Sequence, residues 1–182
     1  MRAAIVAITA LCSLTPAVAL AQTAASAANP ISDSIRSEWK TVEGYIRDSA
    51  TDMDEANYGF KPVDTVRTFG AILAHVAGAN YVFCSAAKGE KSPHGEGDFE
   101  KSATTKADIV KALNDSLAYC DAAFSAATDA SIAEMVTPPF GSRQIPRADA
   151  LIGNIGHLNE HYGNLVTYFR IKGIVPPSSR RQ

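Results

Sequence analysis

Apolar residues recur at steps of three and four along four long segments of this chain of 182 residues. In a helix, this spacing places the apolar side chains on one face, which must be buried against another element. We find no convincing strand pattern between them, so packed helices are the expected fold. The four apolar stripes are Ile31, Ile35, Trp39, Val42, Ile46, Ala50 and Met53; Phe69, Ile72, Val76, Ala79 and Phe83; Val110, Leu113, Leu117, Cys120 and Phe124; and Leu151, Ile155, Leu158, Tyr162, Leu165 and Phe169.

Residues typical of helix ends flank these stripes. Asn29 followed by Pro30 predicts a helix start, because Asn can cap free amides and Pro fits the first turn. Thr68 and Thr105 are placed to cap the second and third helices, and Gly173 ends the fourth. The expected helices are 29–53, 68–87, 105–126 and 147–172.

The segments between these helices contain Gly and Pro, and we interpret them as connections. They span residues 54–67, 88–103 and 127–146, and the last has room for a short helical turn near 131–135. The sequence therefore predicts an all-α, four-helix bundle over residues 29–177. A short tail, residues 178–182, is expected to fray.

The first 21 residues have the pattern of a cleavable secretory signal peptide. Arg2 supplies the positive start, an apolar run follows to Leu14, and Ala19-Leu20-Ala21 is a small-residue cleavage pattern. A membrane anchor is the alternative, but Pro16 and several polar residues interrupt the run. We expect a periplasmic or secreted protein without a stable membrane anchor, with a flexible leader over residues 22–28.

The charge balance argues against nucleic acid as a partner. The formal net charge is -2, and no basic stripe of the kind that binds nucleic acid is visible. The sequence leaves open whether the chain forms a homodimer.

Whether the cysteines form a disulfide depends on the cellular compartment. Cys12 would leave with the signal peptide, so Cys84 and Cys120 would be the only remaining thiols. In an oxidising compartment they could pair, and two separate buried cysteines are the alternative.

Three of the four histidines lie in predicted helices. His157 and His161 are one turn apart on one helical face, so both rings can point at one ion. His75 on the second helix could supply a third nitrogen, and three histidines with an open position make a reactive metal site. Such ligands favour zinc, nickel, iron or copper over magnesium or calcium. His94 lies in a Gly- and Pro-containing loop and is expected to be solvated.

Three segments form a combination that is more specific than any one of them. They are Tyr58-Gly59-Phe60-Lys61-Pro62, Thr68-Phe69-Gly70-Ala71-Ile72-Leu73-Ala74-His75, and His157-x-x-x-His161-Tyr162-Gly163-Asn164-Leu165 followed by Tyr168-Phe169-Arg170 and Gly173. In this arrangement, from about Ile35 to Pro177, the chain resembles the DinB-like superfamily of metalloenzymes, also called DinB/YfiT-like.

The resemblance implies an up-up-down-down bundle in which His75, His157 and His161 hold a divalent metal. Asn164 stands where the family often has Gln, which lies off the ligand positions. Some relatives are thiol-dependent transferases or isomerases, and many are described as metal-dependent hydrolases. An exported protein fits the thiol branch poorly, because such thiols belong to reducing compartments.

Hydrolysis of an unknown small-molecule substrate is therefore the default expectation. We assign no general base, because Glu160 is adjacent to His161 and turned about 100° away around the helix. The alternatives are a non-catalytic periplasmic metal-binding or carrier protein, a thiol-dependent transferase, and a bundle whose histidines only border its core.

Export makes a direct prediction. Protein recovered from the cell envelope should begin at Gln22, because signal peptidase cleaves after small residues. N-terminal sequencing checks this. A soluble cytoplasmic species that retains Met1 would contradict it.

Overall fold

A computed structural model describes residues 29–95 and 98–180. The predicted signal peptide, residues 1–21, and the predicted leader, residues 22–28, lie outside the described residues. The described chain is mostly helical, with a short antiparallel ribbon and two 3₁₀ turns, Glu55–Asn57 and Pro177–Ser179. Its elements are α1 Pro30–Asp52, α2 Phe69–Lys88, α3 Phe99–Ser102, α4 Lys106–Ala126, α5 Asp129–Ile132, β1 Met135–Val136, β2 Ile145–Pro146 and α6 Arg147–Ile171.

The long helices α1, α2, α4 and α6 surround a common hydrophobic core. α2 packs against both α4 and α6, and α1 contacts the same two helices. Trp39 of α1 stacks on Phe124 of α4 with ring centroids 4.3 Å apart, and Phe69 of α2 meets Phe169 of α6 edge-to-face at 5.5 Å. The four helices agree with the predicted ranges to within two residues, and Thr68 caps α2 as predicted. The prediction of a mostly helical fold is confirmed.

Helix α2 is long and apolar enough to cross a membrane, alone among the helices of the described residues. However, 61% of its most apolar window is buried inside the protein. A central core helix has the same composition, because it must be apolar on nearly every side.

Helix α1 begins differently from the prediction. The Asn29 side chain makes no cap bond to α1, and its Oδ1 accepts a hydrogen bond from the amide of Asp129 at 2.9 Å. The Asp129 carboxylate accepts hydrogen bonds from the amides of Ser32 at 2.8 Å and Ile31 at 3.3 Å. The starts of α1 and α5 therefore cap each other, and a sequence separation of 100 residues hides this exchange from local patterns.

Other local expectations are corrected. α3 and the ribbon lie in segments predicted as connections without regular structure, and the predicted short turn forms two residues early, as α5. Ile31 belongs to the first apolar stripe, but it is 60% exposed. It lies in the first turn of α1, where the apolar pattern continues but the side chain is not buried. Ser178, at the start of the predicted tail, donates its amide to the Tyr162 hydroxyl at 2.7 Å.

The connection between α1 and α2 is fixed to the start of α2. The amides of Phe69 and Gly70 donate to the carbonyls of Phe60 and Tyr58, both at 2.9 Å. A Cβ at Gly70 would lie 3.0 Å from side-chain atoms of Tyr58 and Ile109, so any other residue there would require these neighbours to shift. The contact sets where α2 begins.

A disulfide joins α2 to α4. Cys84 and Cys120 are fully buried, and their Cα atoms lie 5.3 Å apart. The buried Asn154 of α6 directs its amide nitrogen at both sulfurs, at 3.4 Å and 3.5 Å. The sequence leaves this pairing open because spacing along a chain does not determine distance in space.

Protein that lacks residues 1–21 should show no reactive thiol when it is unfolded without reductant. Replacing Cys84 and Cys120 together with Ser should lower the free energy of unfolding by about 2–4 kcal/mol, because the bridge closes a loop of 36 residues. Thiol titration and urea unfolding check the two statements. Two reactive thiols in the non-reduced protein would contradict the bridge.

Candidate metal centre

Three histidines from two helices meet at one point of the fold. On α6, Nε2 of His157 lies 3.1 Å from Nε2 of His161, and it lies 3.2 Å from Nε2 of His75 on α2. Each residue contributes one ring nitrogen to a group whose members all lie within 4.8 Å of one another. The three residues predicted as ligands are therefore brought together.

The packing of α2 against α6 places these rings. His157 and His161 directly precede Leu158 and Tyr162, which are buried members of the apolar stripe. Both histidines therefore lie at the border of the buried face, as the sequence predicted. His161 is itself buried, whereas His75 and His157 are half-buried.

A carboxylate from α3 supports His75. Oε1 of Glu100 lies 3.1 Å from Nδ1 of His75, and Oε2 accepts a hydrogen bond from Nε of Arg67 at 3.0 Å. A carboxylate at Nδ1 favours the tautomer that carries its proton there, which leaves the Nε2 lone pair for an ion. Metal-binding histidines commonly have such a partner.

Sequence analysis missed Glu100 and Arg67. Segment 88–103 contains several Gly residues and a Pro, which predicted a connection. The sequence offered a signal for α3 itself, because Asp98 is a residue type that caps helices. In the structure its carboxylate accepts a hydrogen bond from the Glu100 amide at 3.0 Å. Four helical residues show no periodicity, so only the tertiary fold reveals that Glu100 faces His75.

Burial keeps the three imidazoles neutral. Burial, followed by the nearby His161 and His75, lowers the pKa of His157 to about 4. Burial also lowers the pKa of His161, with a further contribution from His75. Burial and Arg67 lower the pKa of His75 against the opposing charge of Glu100. At pH 7 all three rings therefore have the neutral form that binds a metal.

The donor set fits a divalent transition metal. Three nitrogens about 2.1 Å from one ion, at tetrahedral angles, lie about 3.4 Å from each other. Two of the three separations, His157–His161 at 3.1 Å and His157–His75 at 3.2 Å, are close to this value, and the third, His75–His161, lies within 4.8 Å. Nδ1 of His157 and Nδ1 of His161 are buried without a hydrogen-bond partner in the described part of the chain, so packing sets the orientation of these two rings.

Two cavities adjoin the cluster. The larger, about 710 Å³, is lined by His161 and Arg67 together with several polar side chains. The smaller, about 240 Å³, is lined by His75 and His157 on a mostly apolar side. The cluster therefore borders two spaces of different polarity. The aromatic residues of the smaller cavity are Phe83, Phe99 and Phe140.

His94 and Glu160 stay outside the cluster. His94 is exposed, and its ring packs on Tyr81 with centroids 4.3 Å apart. Glu160 is exposed and lines the larger cavity. Neither position changes the sequence interpretation, which assigned no ligand role to His94 and no general base.

A family model described as the DinB superfamily matches residues 38–165, a range that contains all three histidines. The chain belongs to the DinB superfamily. No curated protein matches it.

Solved structures share the fold of this DinB-family chain. A DinB-like protein from Bacillus cereus ATCC 10987 has a TM-score of 0.67 at 18% identity, covering 80% of this chain and 95% of that one. A DinB-like protein from Bacillus subtilis has a TM-score of 0.62 at 19% identity, covering 82% and 99%. A mycothiol-dependent maleylpyruvate isomerase has a TM-score of 0.61 at 16% identity, covering 74% of this chain and only 60% of the isomerase.

Metal binding should depend on the cluster and not on the loop histidine. His161→Ala should abolish binding of one ion per chain and leave helical content largely intact, because the apolar stripes carry most of the packing. His94→Ala should bind like the parent. Elemental analysis of chelator-stripped and reloaded samples checks both. A tightly held ion in His161→Ala, or its loss in His94→Ala, would show that the assignment is wrong.

Glu100 should act through His75. Glu100→Ala should weaken metal affinity about 10- to 100-fold, because the ring loses its orienting partner. Competition with a chromophoric chelator measures this. The matched control is Glu160→Ala, which removes an exposed carboxylate that lies between His157 and His161 along α6 but outside the cluster. Equal affinities of the two variants would contradict a role for Glu100.

Proposed function

We propose that this DinB-family protein is exported and uses a divalent transition metal, held by His75, His157 and His161, to hydrolyse a small-molecule substrate. One observation carries the proposal: the described residues give the cluster three histidines and no fourth His, Cys, Asp or Glu, beside two cavities. Three protein ligands and an open position are typical of catalytic metal sites, whereas structural sites are closed by four.

The residues of the site have separable tasks. A divalent ion bound there would supply the charge that lowers the pKa of water from about 15.7 to about 7. The three rings bind as neutral ligands, which their lowered pKa values support. Glu100 holds the proton of His75 at Nδ1. The Phe83 ring, with its centroid 5.7 Å from that of His157, limits access of solvent from the apolar side.

Two further features belong to the proposal. We infer the up-up-down-down four-helix bundle that the family resemblance implies, and the packing of α1 and α2 against both α4 and α6 supports it. We infer export to the periplasm or beyond, and the Cys84–Cys120 disulfide supports it, because disulfides persist in oxidising compartments.

A thiol-dependent transferase is the second candidate. The fold similarity to a mycothiol-dependent isomerase favours it, although at 16% identity this similarity concerns the fold alone. The disulfide weighs against it, since an oxidising compartment is unfavourable for a small thiol cofactor. A non-catalytic metal carrier, the third candidate, would not need a substrate cavity of about 710 Å³.

Hydrolysis should follow metal occupancy. The mature protein, stripped and then reloaded with zinc, nickel or iron, should hydrolyse at least one member of a panel of small esters, amides and phosphoesters. The rate should rise with the bound fraction of metal and should vanish in His161→Ala. A panel assay with parallel elemental analysis measures this.

The same assay separates the three candidates. Turnover that requires an added low-molecular-weight thiol would favour the transferase. Tight binding of one ion without turnover in either condition would favour the carrier.

A further inference from the structure

The larger cavity contains a single cationic side chain. Arg67 lines it together with His161, so one molecule that fills the space would meet both residues. At about 710 Å³ the cavity has the size of a typical small-molecule site. Its remaining polar side chains are Thr65, Glu160, Asn164, Thr167 and Tyr168.

Arg67 is held at its main chain and at the inner nitrogen of its guanidinium. Its carbonyl accepts a hydrogen bond from the Tyr168 hydroxyl at 2.6 Å, and its Nε donates to Glu100 at 3.0 Å. A side chain that is already held in place loses less conformational entropy when it binds a ligand.

The outer end of this guanidinium is available. Of the three guanidinium nitrogens of Arg67, Nε alone has a hydrogen-bond partner among the described residues. Arg147 provides the contrast, because its Nε and both terminal nitrogens bond to Ser131, Ala87 and Glu134. All three guanidinium nitrogens of Arg147 are therefore bonded within the protein. Arg67 instead presents two terminal amino groups in the planar geometry that binds a carboxylate at two points.

We propose that Arg67 binds the carboxylate of a small organic substrate whose reacting bond lies at the histidine cluster. This inference deepens the proposed function and rests on it for the reaction, but the binding of the carboxylate rests on the cavity alone. A bound divalent ion would add positive charge to the same space. Glu160, the one acidic residue of the lining, and Arg67 are both exposed, so solvent screens the charge of each.

The test compares an acid with its neutral counterpart. 3-Phenylpropionate and 3-phenylpropanamide are titrated by NMR into the mature protein, both metal-loaded and metal-free. The parent should bind the acid about tenfold or more tightly than the amide in both forms. Arg67→Gln should remove this preference, and Arg67→Lys, which keeps the charge but not the fork, should retain part of it.

Controls keep the result specific to Arg67. Arg143→Gln removes an exposed arginine that lines neither cavity and should bind like the parent. Arg67→Gln should fold normally, because the Tyr168 bond is to the main chain and the Glu100 pair is partly exposed. Equal binding of acid and amide by the parent, or an unchanged preference in Arg67→Gln, would overturn the inference. Inorganic phosphate that binds the parent more tightly than the acid would overturn the carboxylate class.

The metal-free arm separates this inference from the proposed function. Acid preference there depends on Arg67 and not on an ion. Failure to bind metal or to hydrolyse any substrate would therefore overturn the proposed function without affecting the anion site. Equal binding of acid and amide by the parent would overturn the anion site without affecting the proposed function.

Discussion

The packing of α2 against α6 brings His75 to His157 and His161, and every chemical property of the site depends on this contact. Buried residues on both helices, such as Phe69 and Phe169, hold the two helices together, and the histidines lie at the edge of that interface. The ligands are thus carried by rigid helices rather than by loops. The arrangement leaves one buried and two half-buried imidazoles, which must stay neutral to bind a metal.

Burial in the core keeps these imidazoles neutral, which is the form that binds a metal. Burial disfavours the charged form of each ring, so the pKa of His157 falls to about 4 and protons compete weakly with a metal at neutral pH. Glu100 balances this at one ring by holding the Nδ1 proton of His75, while Arg67 holds Glu100. The same arginine then lines the larger cavity, so one short chain of polar contacts leads from the cluster to a space that can hold a ligand.

The sequence predicted the long helices, whose apolar pattern repeats along the chain, and missed individual contacts between distant residues. Stripes with a helical period located α1, α2, α4 and α6 to within two residues, and the spacing of His157 and His161 indicated their shared face. Glu100 lies on a helix of four residues, too short for any period, and Asn29 exchanges caps with α5 across 100 residues. Such contacts depend on tertiary structure. The Cys84–Cys120 bridge is intermediate, since the sequence named both partners without the distance.

X-ray absorption spectroscopy of the reloaded mature protein tests the central claim most directly, because it reports the ligands of the ion itself. The account predicts one ion per chain with three nitrogen ligands at about 2.0–2.1 Å and one oxygen ligand. In His161→Ala this pattern should disappear. A sulfur ligand at about 2.3 Å, or an unchanged spectrum in His161→Ala, would contradict a centre built from His75, His157 and His161.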